Sequence, residues 1–420
     1  MHILISCIGS AGDVYPFLAI GKALQERGHR VELLSSPYFR ERIQAAGLAF
    51  VPIGTLEDYE QAVADPDLWH PRRGLALIWK SIQRNLRNGH QQLLERLRPD
   101  TLLVGSTLAW NSRLVQEKSG LPGVTVHLSP SCLLSAYDPA VLPGMAVLRY
   151  LPVWLVRAVL RFAERAIVDS IVTPGLNEFR AELGLPAVRR VMSEWQNSPD
   201  GVICAFPSWF AATQPDWPAN SITTDFPRWN AGANDDLAPA LLDFLQSGPA
   251  PVGITPGSAM AHGRALFERA LAACQALNLR AVVITPFRDQ LPAELPDFAH
   301  HASYAPFDLL LPRLRAFVHH GGIGTSAQCL AAGLPQLVVP FAHDQFDNAA
   351  RLQKLGVADS VAPTASVGAW IRALRKLLDD RSKADACRYW AAKSSDAPFA
   401  AVRIAEQIES LRPAPAKAAG

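Results

Sequence analysis

Two histidines stand before a glycine-rich turn at His319-His320-Gly321-Gly322-Ile323-Gly324-Thr325, and a carboxylate and a carboxamide follow at Asp344 and Gln345. Glycine lets an anion approach the backbone closely, and an imidazole or hydroxyl beside it can donate to a phosphate oxygen. Asp and Gln side chains can bind the vicinal hydroxyls of a sugar. Together these residue types suit a sugar carried on phosphate. A third candidate lies near the amino terminus, where Gly9-Ser10-Ala11-Gly12-Asp13 sets a carboxylate just after an apolar run. Asp13 there is a turn or cap residue, a general base, or both at once.

The elements around these residues decide whether they can act together. Residues 314–318 read as a short buried strand, and residues 326–332 as a helix closed by Gly333 with Pro335 beyond it. The glycines therefore fall at a helix N-terminus, where free N–H groups and the positive end of the helix dipole favour an anion. A second apolar strand over 336–340 delivers Asp344 and Gln345 to the same expected sheet edge. Asp13 similarly sits between a strand at 2–7 and a helix at 16–27. Further strands are expected at 30–34, 49–52, 101–104, 124–127 and 201–205, then at 252–255 and 281–285. Ser258 follows one of these strands, before a helix at 263–277, and is a further candidate diphosphate ligand. Strands alternating with helices predict doubly wound parallel sheets, with ligands at the carboxyl ends of the strands.

A chain of 420 residues favours two domains, which we place at 1–217 and 238–412, with a Pro- and polar-rich linker at 218–237 and a frayed tail at 413–420. A formal net charge of +2 and the lack of dense Lys/Arg runs give no case for nucleic acid. The six cysteines are scattered without metal-ligand spacing, so no metal is expected and free thiols in a reducing cytosol are. The start lacks a basic leader, and no apolar run is long enough to span a bilayer. Asp65-Pro66-Asp67 mimics a metal-binding Asp-x-Asp but follows no strand, and reads as a turn. Between 143 and 170, Arg157, Arg161 and Arg165 run beside Trp154, Leu155, Val159, Leu160 and Phe162. Such a face can rest on a membrane surface or cover an acyl acceptor, but a core-facing helix with a solvated arginine stripe is the heavier expectation.

The histidine, glycine turn with Thr325, Gly333-Leu334-Pro335 strand start, Asp344-Gln345 and Asn348-Ala349 together resemble the donor signature of family 1 glycosyltransferases. The resemblance implies a GT-B fold, α/β, with two Rossmann-like domains facing across a cleft that holds the active site. It implies that His319 or its neighbour His320, with Gly321, Gly324 and Thr325, holds the donor diphosphate. Ser258 joins them, Asp344 and Gln345 bind the transferred sugar, and the region of Pro306 and Phe307 meets the nucleobase. Asp13 matches the base position, where many members carry histidine. A nucleotide-diphosphate sugar and a hydrophobic acceptor are the implied substrates, without cofactor or metal, in the cytoplasm, at the inner face of a membrane if the arginine-edged surface is used. Segments such as Asp67-Leu68-Trp69 and Pro207-Ser208-Trp209 are similar to the rhamnosyltransferase of rhamnolipid synthesis, which implies a dTDP-rhamnose donor and a hydroxyalkanoyl lipid acceptor. A UDP-glucose-dependent transferase of a small aglycone or sterol is the alternative. An epimerase or a non-catalytic helper subunit stands behind both. Oligomeric state is not written in the sequence.

Overall fold

The computed structural model describes residues 1–229, 236–394 and 397–411. The chain divides into two compact units, Met1–Pro227 with the segment that begins at Ala397, and Arg228–Asp396. In the first, β1 (His2–Ser6), β2 (Arg30–Ser35), β3 (Ala49–Pro52), β4 (Thr101–Ser106), β5 (Gly123–His127), β6 (Val202–Cys204) and β7 (Ser221–Thr223) form one sheet in the order β3-β2-β1-β4-β5-β6-β7. In the second, β8 (Val252–Thr255), β9 (Ala281–Ile284), β10 (Ala299–Ala302), β11 (Ala316–His319), β12 (Gln336–Val338) and β13 (Ala358–Ser360) form a sheet in the order β10-β9-β8-β11-β12-β13. Every pairing is parallel.

Parallel strands are buried on both faces, and every residue of the mainly apolar β1, β4 and β8 is buried. In the second sheet, Ala281, Val283, Ala316 and Val318 join one core with Trp370 and Phe267. The alternate residues Val282, Ile284 and Phe317 join another core with Leu310 and Cys329. Gly253 makes room on that second face, since a Cβ there would lie 2.4 Å from the Phe317 ring. Each sheet reverses direction once, between β1 and β4 and between β8 and β11. In open parallel sheets the crevice at such a switch point is where ligands bind.

Three expectations change. Residues 221–223 of the expected linker form β7 on the first sheet, while 230–235 and the tail from 413 lie outside the described residues. The residues 384–411 predict one long helix, and the structure has two, Arg381–Lys393 and Ala397–Ser410. The second of these packs in the first unit against the helix Ala11–Glu26. Glu409 there accepts from Arg27 Nη2 at 2.7 Å and sits 2.7 Å from His29 Nε2. The residues 308–313 predict a helix, and the structure has one turn, Phe307–Leu310, continued as a 3-10 turn, Leu311–Arg313.

Candidate active site

Asp13 is the third residue of the helix that follows β1, at the switch point of the first sheet. Ser10 donates to its Oδ2 twice, from the backbone N–H at 2.8 Å and from the hydroxyl at 2.9 Å. The carboxylate therefore caps the helix, and its capping and basic roles are compatible because Oδ1 is outside both bonds. Asp13 is half-buried by surface exposure, and desolvation pushes its pKa above the ordinary carboxylate value against the pull of the Ser10 bonds. Gly9, at φ +139°, is required here: a Cβ would stand 2.4 Å from Asp13 Oδ2. Beside it an aromatic cluster joins Tyr15, Phe39, Tyr38 and Tyr59, with the two tyrosines 38 and 59 stacked at 4.4 Å.

In the second unit the register aligns His319 with Thr255 on one side and Val338 on the other. The loops after β8, β11 and β12 thus leave one sheet edge together. His319 itself belongs to the strand and is fully buried. Its Nδ1 accepts from Gly321 N–H at 3.1 Å, and its Nε2 lies 3.0 Å from Gln336 Oε1. Burial holds its pKa down at about 3, so the ring is neutral and Nε2–H donates to Gln336. Both nitrogens are committed to the fold. Through these bonds His319 positions the turn.

His320 is half-buried, and its Nδ1 has no hydrogen-bond partner. Its ring lies between two glycine turns. A Cβ on Gly257 would approach the ring within 2.7 Å, and one on Gly322 would stand 2.4 Å from Nε2. Burial lowers its pKa to about 4, so at neutral pH it is an uncharged donor. Gly322 in extended conformation precedes the helix Ile323–Ala331, whose first-turn N–H groups at Ile323, Gly324 and Thr325 have no intrahelical acceptors. Gly321, at φ +91°, closes the turn against Val338. Ser258 is exposed in the loop after β8, beside Gly257 at φ +101°.

Asp344 stands at the N-cap position of the helix Gln345–Lys354, at the end of the loop after β12, without a side-chain capping bond. Asn348 bridges the two loops, donating to Asp344 Oδ2 at 2.8 Å and to the Gly321 carbonyl at 2.9 Å. Gln345 Oε1 accepts from the N–H groups of Phe341 and Ala342. Its oxygen is thus committed to holding the loop. His343, at φ +57°, is one of three non-glycine residues with positive φ among those described, a strained conformation next to Asp344. Pro306 precedes and Phe307 begins the helical turn Phe307–Leu310 that follows β10, with Phe307 edge-on to Phe317 at 5.4 Å. Gln336 and Asn348 were not assigned roles from sequence. Asn348 belongs to the recognisable Asp-Gln run, whereas nothing local marks Gln336. Among the described residues no three His, Cys, Asp or Glu side chains are placed to hold a metal ion.

Residues 3–137 match the Glycosyltransferase family 28 N-terminal domain, and residues 269–411 match the Erythromycin biosynthesis protein CIII-like C-terminal domain. The chain is a nucleotide-sugar glycosyltransferase of the GT-B type. It is 29% identical to the O-mycaminosyltylonolide 6-deoxyallosyltransferase of Streptomyces fradiae, over 87% of this chain and 86% of that one. It is 27% identical to a sterol 3-beta-glucosyltransferase of Arabidopsis thaliana over 92% of this chain, but spans 62% of that protein's length, and 24% of the Candida albicans one. The glycosyltransferase shares its fold with the glycotransferase of kitacinnamycin, at a TM-score of 0.74 and 20% identity over 98% of this chain and 99% of that one. The spinosyn rhamnosyltransferase SpnG superposes at 0.68 with 20% identity, over 98% and 100%. Among the described residues of the glycosyltransferase, no helix is long and apolar enough to cross a membrane.

Proposed function

We propose that the enzyme transfers a hexosyl group, with inversion and without a metal, from a nucleotide-diphosphate sugar to a hydroxyl of a hydrophobic acceptor. The second unit holds the donor and the first supplies the base. The observation that carries this reading is His320, an imidazole with one unpartnered nitrogen, held by two glycine turns against a helix N-terminus. His320, Ser258 and the N–H groups of Gly324 and Thr325 bind the diphosphate, and their dipoles stabilise the charge that grows on it as it leaves. Asp344 and the nitrogen of Gln345 take the sugar hydroxyls, and the loop of Pro306 and Phe307 meets the base.

The acceptor oxygen attacks the anomeric carbon opposite the diphosphate. One C–O bond forms as the other breaks, and the acceptor's proton passes to Asp13. The logic is that of an inverting glycosidase with an alcohol in place of water. An ordinary carboxylate, with a pKa near 4, is a weak base for an alcohol. Burial moves Asp13 toward the working pH, which improves the match. In the finer reading the donor is dTDP-rhamnose and the acceptor a hydroxyalkanoyl lipid, which rests on the sequence resemblance alone. A second reading, glucosyl transfer to a sterol, draws on the sterol 3-beta-glucosyltransferases among its relatives. The test is Asp13→Asn. It retains dTDP or UDP binding and loses transfer, and normal turnover by this variant would remove Asp13 from the chemistry.

A further inference from the structure

The helix Val153–Ala163 runs through a π-helical stretch, Glu164–Asp169, into Ser170–Glu182. Its arginine-edged pattern predicts aromatic side chains turned to the core, and the structure does the reverse. Within Val153–Ala163 only Val156 is buried. It joins Ala136 and Leu148 in a small cluster against which Val153, Val159 and Leu160 pack. Trp154 and Phe162 remain 70% and 73% exposed, and Tyr150, just before the helix, 87%. Val147 and Ile167 are also exposed. Trp154, Ala158, Arg161 and Phe162 are spaced to share one outward helix face.

The charges are sorted in the same sense. Glu164 is 3% exposed and accepts from the N–H and hydroxyl of Ser193, both at 2.7 Å. Asp169 accepts from the N–H groups of Arg190 and Val191. Residues 139–168 therefore present Arg149, Arg157, Arg161 and Arg165 with no exposed carboxylate. Arg157 lies 5.8 Å over the ring of Tyr137, which is itself exposed. Exposed large aromatics of this density mark an interaction surface rather than a solvated face. A two-fold pairing of copies through this face would oppose its own arginines. A plane of lipid phosphates answers both features: aromatic rings sit at the head-group level and arginines pair with phosphate.

We propose that this face, with Tyr150, Trp154 and Phe162 inserted and Arg157, Arg161 and Arg165 on the phosphates, docks on an anionic lipid bilayer. The docking is independent of which sugar and acceptor the enzyme uses. The test is flotation of the full chain with phosphatidylglycerol/phosphatidylcholine vesicles against phosphatidylcholine alone, at low and high salt. Binding to the anionic vesicles that weakens with salt is expected. Replacing all three arginines by Gln lowers the partition coefficient roughly a hundredfold, and Trp154→Ser with Phe162→Ser abolishes flotation. Unchanged melting curves and unchanged dTDP or UDP binding show that the variants are folded. Absent binding to anionic vesicles, or binding equal in both variants, overturns the proposal. Self-association lost in the Trp154/Phe162 variant without vesicle binding overturns it too, and assigns the face to a second copy.

Discussion

His319 has both ring nitrogens bonded within the fold while His320 Nδ1 has no partner, and replacing each by Ala separates the positioning of the turn from the proposed contact with the diphosphate. An imidazole donating to a diphosphate oxygen makes a hydrogen bond to a charged group, worth about 1.5–3 kcal/mol. His320→Ala therefore raises the Kd for dTDP or UDP roughly 10- to 150-fold. Little else is lost, because Nδ1 has no partner in the protein. His319→Ala strands two buried groups, the Gly321 N–H and Gln336 Oε1, at about 1–3 kcal/mol each. It also removes a ring stacked on Phe317 at 5.8 Å. A total of about 4 kcal/mol lowers the melting temperature by roughly 8–16 °C in a domain of this size. Titration calorimetry and thermal unfolding on both variants read the two effects separately. The reasoning is refuted if His319→Ala weakens nucleotide binding with an unchanged melting temperature while His320→Ala binds as the parent does.

Further predictions follow from the same geometry. Because burial raises the Asp13 pKa, the acid limb of kcat/KM falls above the ordinary carboxylate value of about 4; a limb at or below that value argues against Asp13 as the base. The sign for stability is opposite to that of a paired carboxylate: ionised Asp13 costs stability above its folded pKa, and the cost fades as pH falls through it. Asp13→Asn accordingly melts no lower than the parent at neutral pH, and a large loss of stability would contradict the desolvation argument. Gly9→Ala places a Cβ 2.4 Å from Asp13 Oδ2 at a strained φ, and a displaced base of this kind costs roughly a hundredfold in kcat/KM; unchanged kinetics would show that the carboxylate tolerates movement. Glu409, held at a pKa of about 2 by Arg27 and His29, contributes stability that is present above the ordinary carboxylate range and lost as pH falls toward 2. Glu409→Gln costs about 1 kcal/mol and raises hydrogen exchange in the helix Ala397–Ser410, and unaltered exchange there would show that the pair does not anchor it.

The sheets were legible because parallel strands buried on both faces are written as apolar runs, and glycines at 28, 333 and 356 punctuate the helices after them. The glycine turn was legible as a turn for a similar reason: its glycines stand between the strand that ends at His319 and the helix Ile323–Ala331. Which histidine faces the turn was not. Ending the strand at Val318 rather than His319 is a shift of one residue, and side chains alternate faces along a strand, so that one residue decides which ring is buried. The end of one helix at Lys393 and the start of the next at Ala397 do carry a local signal, the cap-forming run Ser394-Ser395-Asp396 and Pro398, which fits a first turn. The strand β7 was hidden in a Pro- and Trp-rich stretch, since three residues are too few to show a period. The outward face of the helix Val153–Ala163 was illegible for another reason: periodicity reports that a helix has two faces, but not which of them meets the core.

The most direct test of the account is mass spectrometry of products from the pure enzyme incubated with dTDP-rhamnose or UDP-glucose and hydroxyacyl lipids, sterols and other hydrophobic alcohols, with chelator present. Asp13→Asn runs in parallel. The account predicts one glycosylated alcohol per turnover of nucleotide sugar with the parent and none with the variant. Equal product from the variant, or interconversion of the nucleotide sugar with no acceptor glycosylated, would contradict it.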